Sequence, residues 1–274
     1  MKPPTVSEFT QRLAGEEAVL VSVQASQGSV PREAGAWMAV FARDFIGTIG
    51  GGHLELKAIE EARRRLAGGT GEALLRHPLG PSLGQCCGGV VHLRFEAVGA
   101  VDAQALAARL APRRIPVALF GGGHVGTALI AALGPLPFAL RWVDSRDEIF
   151  PDAVPANVEC EHSDPVQAAV ADLAPGSHVL VMSFSHAEDL DIVAACLLRQ
   201  REQGDLPFIG LIGSKTKWAT FRHRLEDRGF SRQELAQVTC PIGLAGIEGK
   251  QPEVIAVSVA AQLLQLRSWE TPEK

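Results

Sequence analysis

Apolar and polar positions divide this chain into two stretches with different rhythms. From residue 115 onward, apolar runs of strand length alternate with segments whose apolar residues recur at helical spacing. Ile115-Pro-Val-Ala-Leu-Phe120 predicts a strand, Thr127 to Leu133 a helix, and Phe138 to Val143 a second strand ending at Asp144. The alternation goes on with a helix over 164–173, a strand over 177–182, a helix over 189–200 and a strand over 207–212. Gly213-Ser-Lys-Thr-Lys217 then opens a helix through Asp227, and a long apolar helix runs from Glu253 to Leu266. This is the signature of an α/β fold with a Rossmann-like parallel sheet.

The first hundred residues read instead as a smaller α+β domain. A short helix over 7–17 precedes strands over 19–24 and 37–41, a hairpin-like pair joined by the loop 27–35. Phe45-Ile-Gly-Thr-Ile49 follows. Leu54, Ala58, Ile59, Ala62 and Leu66 then mark a helix over 53–66, and strands are expected over 72–77 and 90–96. An Ala- and Leu-rich helix over 100–112 bridges the two parts. The expected organisation is thus an N-terminal domain over 1–99, a linker helix within 100–114 and a Rossmann-like domain over 115–274. The final helix packs either on the Rossmann sheet or back on the first domain.

At the strand–helix junction stands Gly121-Gly-Gly-His-Val-Gly126, and the next strand ends in an acid, Asp144. Strand, glycine turn, helix, strand and acid together make the dinucleotide fingerprint. In that motif Gly121 permits the tight turn, Gly123 lets backbone approach a pyrophosphate, and Gly126 lets the helix lie close to the strand. The helix start offers free N–H groups and a positive dipole end to an anion. Gly122 and His124 complete the loop, and Asp144 sits where an acid accepts a hydrogen bond from a ribose hydroxyl. Gly213, Ser214 and Lys215 lie at another strand–helix junction, hence on the same rim; their spacing is not that of a P-loop.

Composition narrows the classes. The chain has 274 residues, 46% hydrophobic and 21% charged, as expected of an ordinary globular protein, and a formal net charge of −5 that argues against a nucleic-acid partner. No apolar run approaches bilayer length and Met1 to Arg12 lacks a secretion signal, so no membrane role and a cytoplasmic location are expected. Tyrosine is absent, which excludes dehydrogenases whose proton donor is a phenol. The five cysteines are Cys86, Cys87, Cys160, Cys196 and Cys240. Their odd number and lack of any C-x-x-C fit neither a disulfide framework nor a zinc site.

Two features of the first domain stand out. Gly50-Gly-Gly52 feeds the helix that starts at His53, a second anion-competent helix start, although glycines there also serve as a tight entry. The loop 27–35, with Gly28, Ser29, Pro31, Arg32 and Gly35, suits a phosphate or carboxylate, and plain turn chemistry accounts for it as well. Leu83-Gly-Gln85-Cys86-Cys87-Gly-Gly89 sits in a loop of glycine and proline where adjacent cysteines do not look like core, so a reactive or metal-facing thiol is expected. Cys160, Cys196 and Cys240, in apolar or strand-end settings, read as packing residues.

With these stretches assembled, the sequence resembles the XdhC/CoxI family. The resemblance rests on Gly28-Ser-Val-Pro-Arg32 with Gly35, Gly47 through Glu55, Leu83 through Gly89, Phe120 through Gly126, Val143-Asp-Ser-Arg146, Ile212 through Lys217, and Cys240-Pro-Ile-Gly-Leu with Ile255-Ala-Val. One departure is Phe184, which stands where the family often has the first of two histidines; only His186 remains. The resemblance implies a maturation factor that binds the molybdenum cofactor in its molybdopterin form. It holds the cofactor while a cysteine desulfurase replaces an oxo ligand with sulfido, then delivers it to a molybdenum hydroxylase such as xanthine dehydrogenase. The residues are compatible with that role. Cys87, with Cys86 as alternate, would face the molybdenum. Phosphate or pterin would be held in the first domain by Gln85, Arg32, Gly50, Gly51, Gly52 and His53. In the second, Gly121, Gly122, Gly123, His124, Gly126, Asp144, Ser214 and Lys215 would do the same. The two halves would close over one shared cavity. A nucleotide at the Rossmann loop and a homodimer complete the expectation.

Three other readings compete. An NAD(P)-dependent oxidoreductase explains the Gly121–Gly126 fingerprint but leaves the cysteine loop idle and must find its proton carrier among His124, His53 and His186. A sulfur carrier would bear a persulfide on Cys86 or Cys87. A structural subunit would keep the sheet without its ligand.

Overall fold

The computed structural model describes residues 6–79 and 88–266. The chain forms two compact units, Met1–Ala111 and Pro112–Lys274. In the first, helix α1 (Val6–Arg12) leads into strands β1 (Ala18–Gln27), β2 (Trp37–Val40) and β3 (Phe45–Gly47). Helix α2 (Gly52–Leu66), strands β4 (Leu74–Pro78) and β5 (Val90–Val98) and helix α3 (Ala103–Leu110) follow. The strands form an antiparallel sheet in the order β3-β2-β1-β5-β4.

Alternation along β1 decides what each sheet face meets. Val19, Val21 and Val23 face Leu54, Ala58 and Ala62 of α2. Ala18 and Leu20 face the other way, into a cluster with Phe9, Leu13 and Leu106 from α1 and α3. The helix expected to bridge the two domains therefore belongs to the first unit. Its buried Leu106 covers, with α1, the sheet face that α2 leaves bare.

The second unit runs β6 (Ile115–Phe120), α4 (His124–Leu133), β7 (Phe138–Asp144), β8 (Val158–His162), a 3-10 helix over Val166–Asp172, and β9 (His178–Val181). It continues with α5 (His186–Gln203), β10 (Phe208–Leu211), α6 (Lys215–Asp227), α7 (Arg232–Leu235), β11 (Val238–Thr239) and α8 (Pro252–Leu266). All six strands are parallel, ordered β11-β10-β9-β6-β7-β8. Counted from β6, this is the doubly wound order, in which the winding reverses between β6 and β9. Ala118, Phe120 and Val181 face α5 and α6, while Val117, Leu119 and Leu180 face α4 and α8. The final helix lies on the Rossmann sheet, its Ala256, Val259 and Leu263 against Leu129, Ile130 and Leu133 of α4.

Some elements differ from the sequence expectation. β8 and β11 fall outside the expected pattern, because β8 is a partly exposed edge strand broken by charges and β11 is only two residues long. The expected helix over 164–173 is a 3-10 segment. It leaves a cavity of about 580 Å³ at the N-terminal ends of β6, β7 and β8, lined by Pro116, Ala118, Ala139, Arg141 and Glu159. Cys160, expected to pack, is exposed on β8. Cys196 is buried as expected, and burial pushes its thiol up to about 12.

The 3-10 crossover is held by Arg199, 6% exposed. Its Nη1 donates to Val170 O at 2.7 Å, its Nη2 to Leu173 O at 2.7 Å and to Asp205 Oδ2 at 2.6 Å. Arg199→Met strands these carbonyls and a carboxylate, and should cost about 3–5 kcal/mol of stability in denaturant unfolding. His178 gives a second expectation. It is 5% exposed, its Nδ1 has no partner among the described residues, and burial lowers its pKa. The folded state thus keeps it neutral while the unfolded chain takes up a proton as pH falls through roughly 6.5. Its contribution is full above that pH and is lost as pH falls towards the depressed folded value. His178→Leu should therefore flatten the stability profile between about pH 7 and pH 5, measured by thermal unfolding across that range.

Candidate functional site

In a doubly wound sheet the ligand crevice lies at the C-terminal strand ends where the winding reverses, here between β6 and β9, and the fingerprint loop stands at that point. Gly121 has φ 125°, and a Cβ there would run into the carbonyl oxygen of Met182 at the end of β9. A Cβ on Gly126 would meet the carbonyl oxygen of Gly121, which Trp142 Nε1 also engages at 2.9 Å. Both glycines serve close packing of the turn. Gly123 is different: it is exposed, a Cβ there would meet nothing within 4 Å, and it precedes the first N–H groups of α4. His124, the first residue of α4, is exposed.

Asp144 is nearly sealed, its side chain 1% exposed. Its Oδ2 accepts from Gly122 N at 2.5 Å and Arg146 Nη2 at 2.9 Å. Its Oδ1 accepts from Arg146 N and Nε, both at 2.9 Å. Burial works to raise its pKa, but the Arg146 guanidinium and the two backbone N–H groups outweigh it and hold the carboxyl below its usual range. The acid expected to wait for a ribose hydroxyl is instead bound to its own chain. Beside it, Ser145 Oγ donates to Glu188 Oε1 at 2.6 Å.

Around the rim, the β9–α5 turn is fastened by Asp189, 2% exposed, whose Oδ1 accepts from Ser183 N and Oγ at 2.8 Å. Its Oδ2 takes Lys217 Nζ at 2.6 Å, and the same ammonium reaches Ile212 O at 2.9 Å. Ser214 caps α6 by accepting from Lys217 N. Lys215 is exposed. Sequence reasoning chose Lys215 and missed the Asp189–Lys217 pair. A signal was present, since a lysine in the first turn of a helix opposes the dipole and needs a partner elsewhere. Cys240 Sγ lies 4.0 Å from Ser214 O, and burial raises its pKa. His186 is exposed and meets the edge of the Phe221 ring.

In the first unit, three loops gather at one end of the sheet. Gly50, Gly51 and Gly52 all have positive φ, and a Cβ on Gly50 would fall 2.5 Å from Pro31 Cβ and 3.4 Å from Arg32 Cγ. A Cβ on Gly28 would lie 3.2 Å from Gly89 Cα, and Leu79 N donates to Gly89 O at 2.8 Å. Arg32 and Gly50 are thus brought together, with the flank of the cysteine loop beside Gly28. Gln85, Cys86 and Cys87 lie outside the described residues. The helix start expected to receive an outside anion holds one of its own: Glu55 Oε2 accepts from Thr48 Oγ1 at 2.5 Å and from Ile49 N and Gly51 N at 3.1 Å. His53 is exposed. Among the described residues no group of three or more His, Cys, Asp or Glu is placed to hold a metal ion, and no helix is long and apolar enough to cross a membrane.

The two lysines of α6 should part company on substitution. Lys217→Met leaves the buried Asp189 carboxylate unpaired and should cost about 3–5 kcal/mol, whereas Lys215→Met should stay within about 0.5 kcal/mol in the same urea titration.

Comparison with known proteins places this geometry. The XdhC Rossmann domain matches residues 117–263, and the XdhC and CoxI family matches residues 11–77. The uncharacterized protein YqeB of Escherichia coli (strain K12) is 26% identical over 272 residues, 95% of this chain and 46% of that protein. The chain thus spans about half the length of this curated relative. A crystal structure described as a xanthine dehydrogenase (BH1974) from Bacillus halodurans superposes with a TM-score of 0.76 at 19% identity, over 98% of each chain, and shares the fold. The chain belongs to the XdhC family, whose Rossmann domain alone accounts for more than half of its length.

Proposed function

We propose that this protein is a maturation factor for a molybdenum hydroxylase such as xanthine dehydrogenase. It binds the molybdenum cofactor, holds it while a cysteine desulfurase exchanges an oxo ligand for sulfido, and hands it to the apoenzyme. In this reading it turns over no substrate of its own. The observation that carries the proposal is membership of the XdhC family across both units.

A phosphate tail needs open backbone N–H groups and nearby cations. Gly123, with no atom where its Cβ would stand and the uncapped start of α4 after it, supplies the first. Lys215, exposed at another strand–helix junction of the same sheet, supplies the second. The bound cofactor would contribute the molybdenum and its exchangeable ligand. The chain would contribute grip on the tail and a soft thiolate, from Cys87 or Cys86, which directly precede Gly88 in the sequence.

A second reading, an NAD(P)-dependent oxidoreductase, is favoured by the strand–turn–helix geometry at Gly121–Gly126, but the occupied Asp144 removes the usual ribose acceptor. Nicotinamide turnover followed by absorbance tests that reading directly. For the proposal itself, the protein is purified anaerobically and assayed for molybdenum and pterin. Replacement of Cys86 and Cys87 by Ala should lower cofactor retention and the reconstitution of an apo target. Unchanged molybdenum content and unchanged reconstitution would remove the thiols from the mechanism.

A further inference from the structure

An ionised carboxylate offers about four acceptor positions. In Asp144 all four are taken: by Gly122 N, by Arg146 N, and by Nε and Nη2 of the Arg146 guanidinium. A ribose diol, which needs to donate to this carboxylate, finds nothing left to accept. Two of the four bonds belong to the main chain and stay wherever the arginine side chain goes. The other two belong to the side chain alone, and two is the number a vicinal diol would need.

The guanidinium is placed to do more than block. Its side chain is 34% exposed, so it faces solvent as well as the carboxylate. It lies over the ring of Phe184 at 4.9 Å, and that ring is itself 68% exposed at the rim of β9. Its Nη1 bonds to none of the described residues. An arginine that lies over an aromatic face and forks onto a carboxylate, with donor capacity left over, matches a phosphate ester in both geometry and charge.

We propose that Arg146 turns the crevice from a reader of ribose diols into a reader of phosphomonoesters. The neutral diol is refused because Asp144 is saturated, and a dianionic ester is accepted because it can share the guanidinium without uncovering the carboxylate. This rests on the reading that the crevice takes a ligand, and deepens it by naming the group recognised. A phosphomonoester of this kind occurs on a 2′-phosphorylated nucleotide and on the tail of a pterin cofactor.

Titration calorimetry on the purified full chain separates these cases. One arm compares adenosine 2′,5′-bisphosphate with adenosine 5′-monophosphate, and the other compares dihydroneopterin monophosphate with dihydroneopterin. Wild type should prefer the extra phosphate by about tenfold or more in at least one arm, and the arm that responds names the source. Arg146→Ala should abolish that preference and raise affinity for adenosine 5′-monophosphate by about tenfold, since two acceptor positions on Asp144 become free. Arg146→Lys, which keeps the charge but not the fork, should retain a reduced preference and stands in should the alanine variant unfold. Wild type that binds the diol as well as the bisphosphate, variants that keep the wild-type order, or no binding in either arm would overturn the proposal. These readouts involve no molybdenum, so loss of cofactor retention and loss of phosphate selectivity are scored separately.

Discussion

The carboxylate of Asp144 is the point at which the second unit is tied together. It ends β7, receives the backbone of the fingerprint loop through Gly122, and neutralises the arginine that follows two residues later. A buried carboxylate is tolerable only when its charge is met and its lone pairs are filled, and here both conditions hold within the chain. The same bonds fix the height of the turn above the strand ends, so the open backbone at Gly123 depends on them. Structure and recognition are therefore joined in one group.

A similar arrangement recurs elsewhere. Glu55 satisfies the amides at the entry to α2, Asp189 those at the entry to α5, and Ser214 the first turn of α6. Each of these strand–helix junctions carries an internal acceptor. The entry to α4 has one as well, since Asp144 takes Gly122 N one residue before Gly123, and neither α4 nor α2 has a side-chain cap at its N-cap residue.

Much of this was legible in the residues. Apolar runs and glycine turns pointed to the strand–helix alternation of the second unit, and the runs over 19–24 and 37–41 pointed to a hairpin-like pair in the first. The edge strands β8 and β11 escaped because edges are short and partly polar, so their pattern resembles a loop. The 3-10 crossover escaped because helical periodicity over seven residues does not distinguish the tighter helix. At the site, glycine spacing located the loop, and the apolar run Phe138 to Val143 located the acid that ends β7. Neither could reveal that Arg146 occupies Asp144, or that Lys217 and not Lys215 turns inward, since both depend on which way a side chain turns.

The run Gly50-Gly51-Gly52 carries a consequence of a different kind. Three successive residues with left-handed backbone angles form a place where any side chain is strained whatever lies nearby. Such a run would resist replacement in any relative on torsional grounds alone. Its persistence through descent would then testify to the shape of a turn, and would be silent about whether a guest ever rests there.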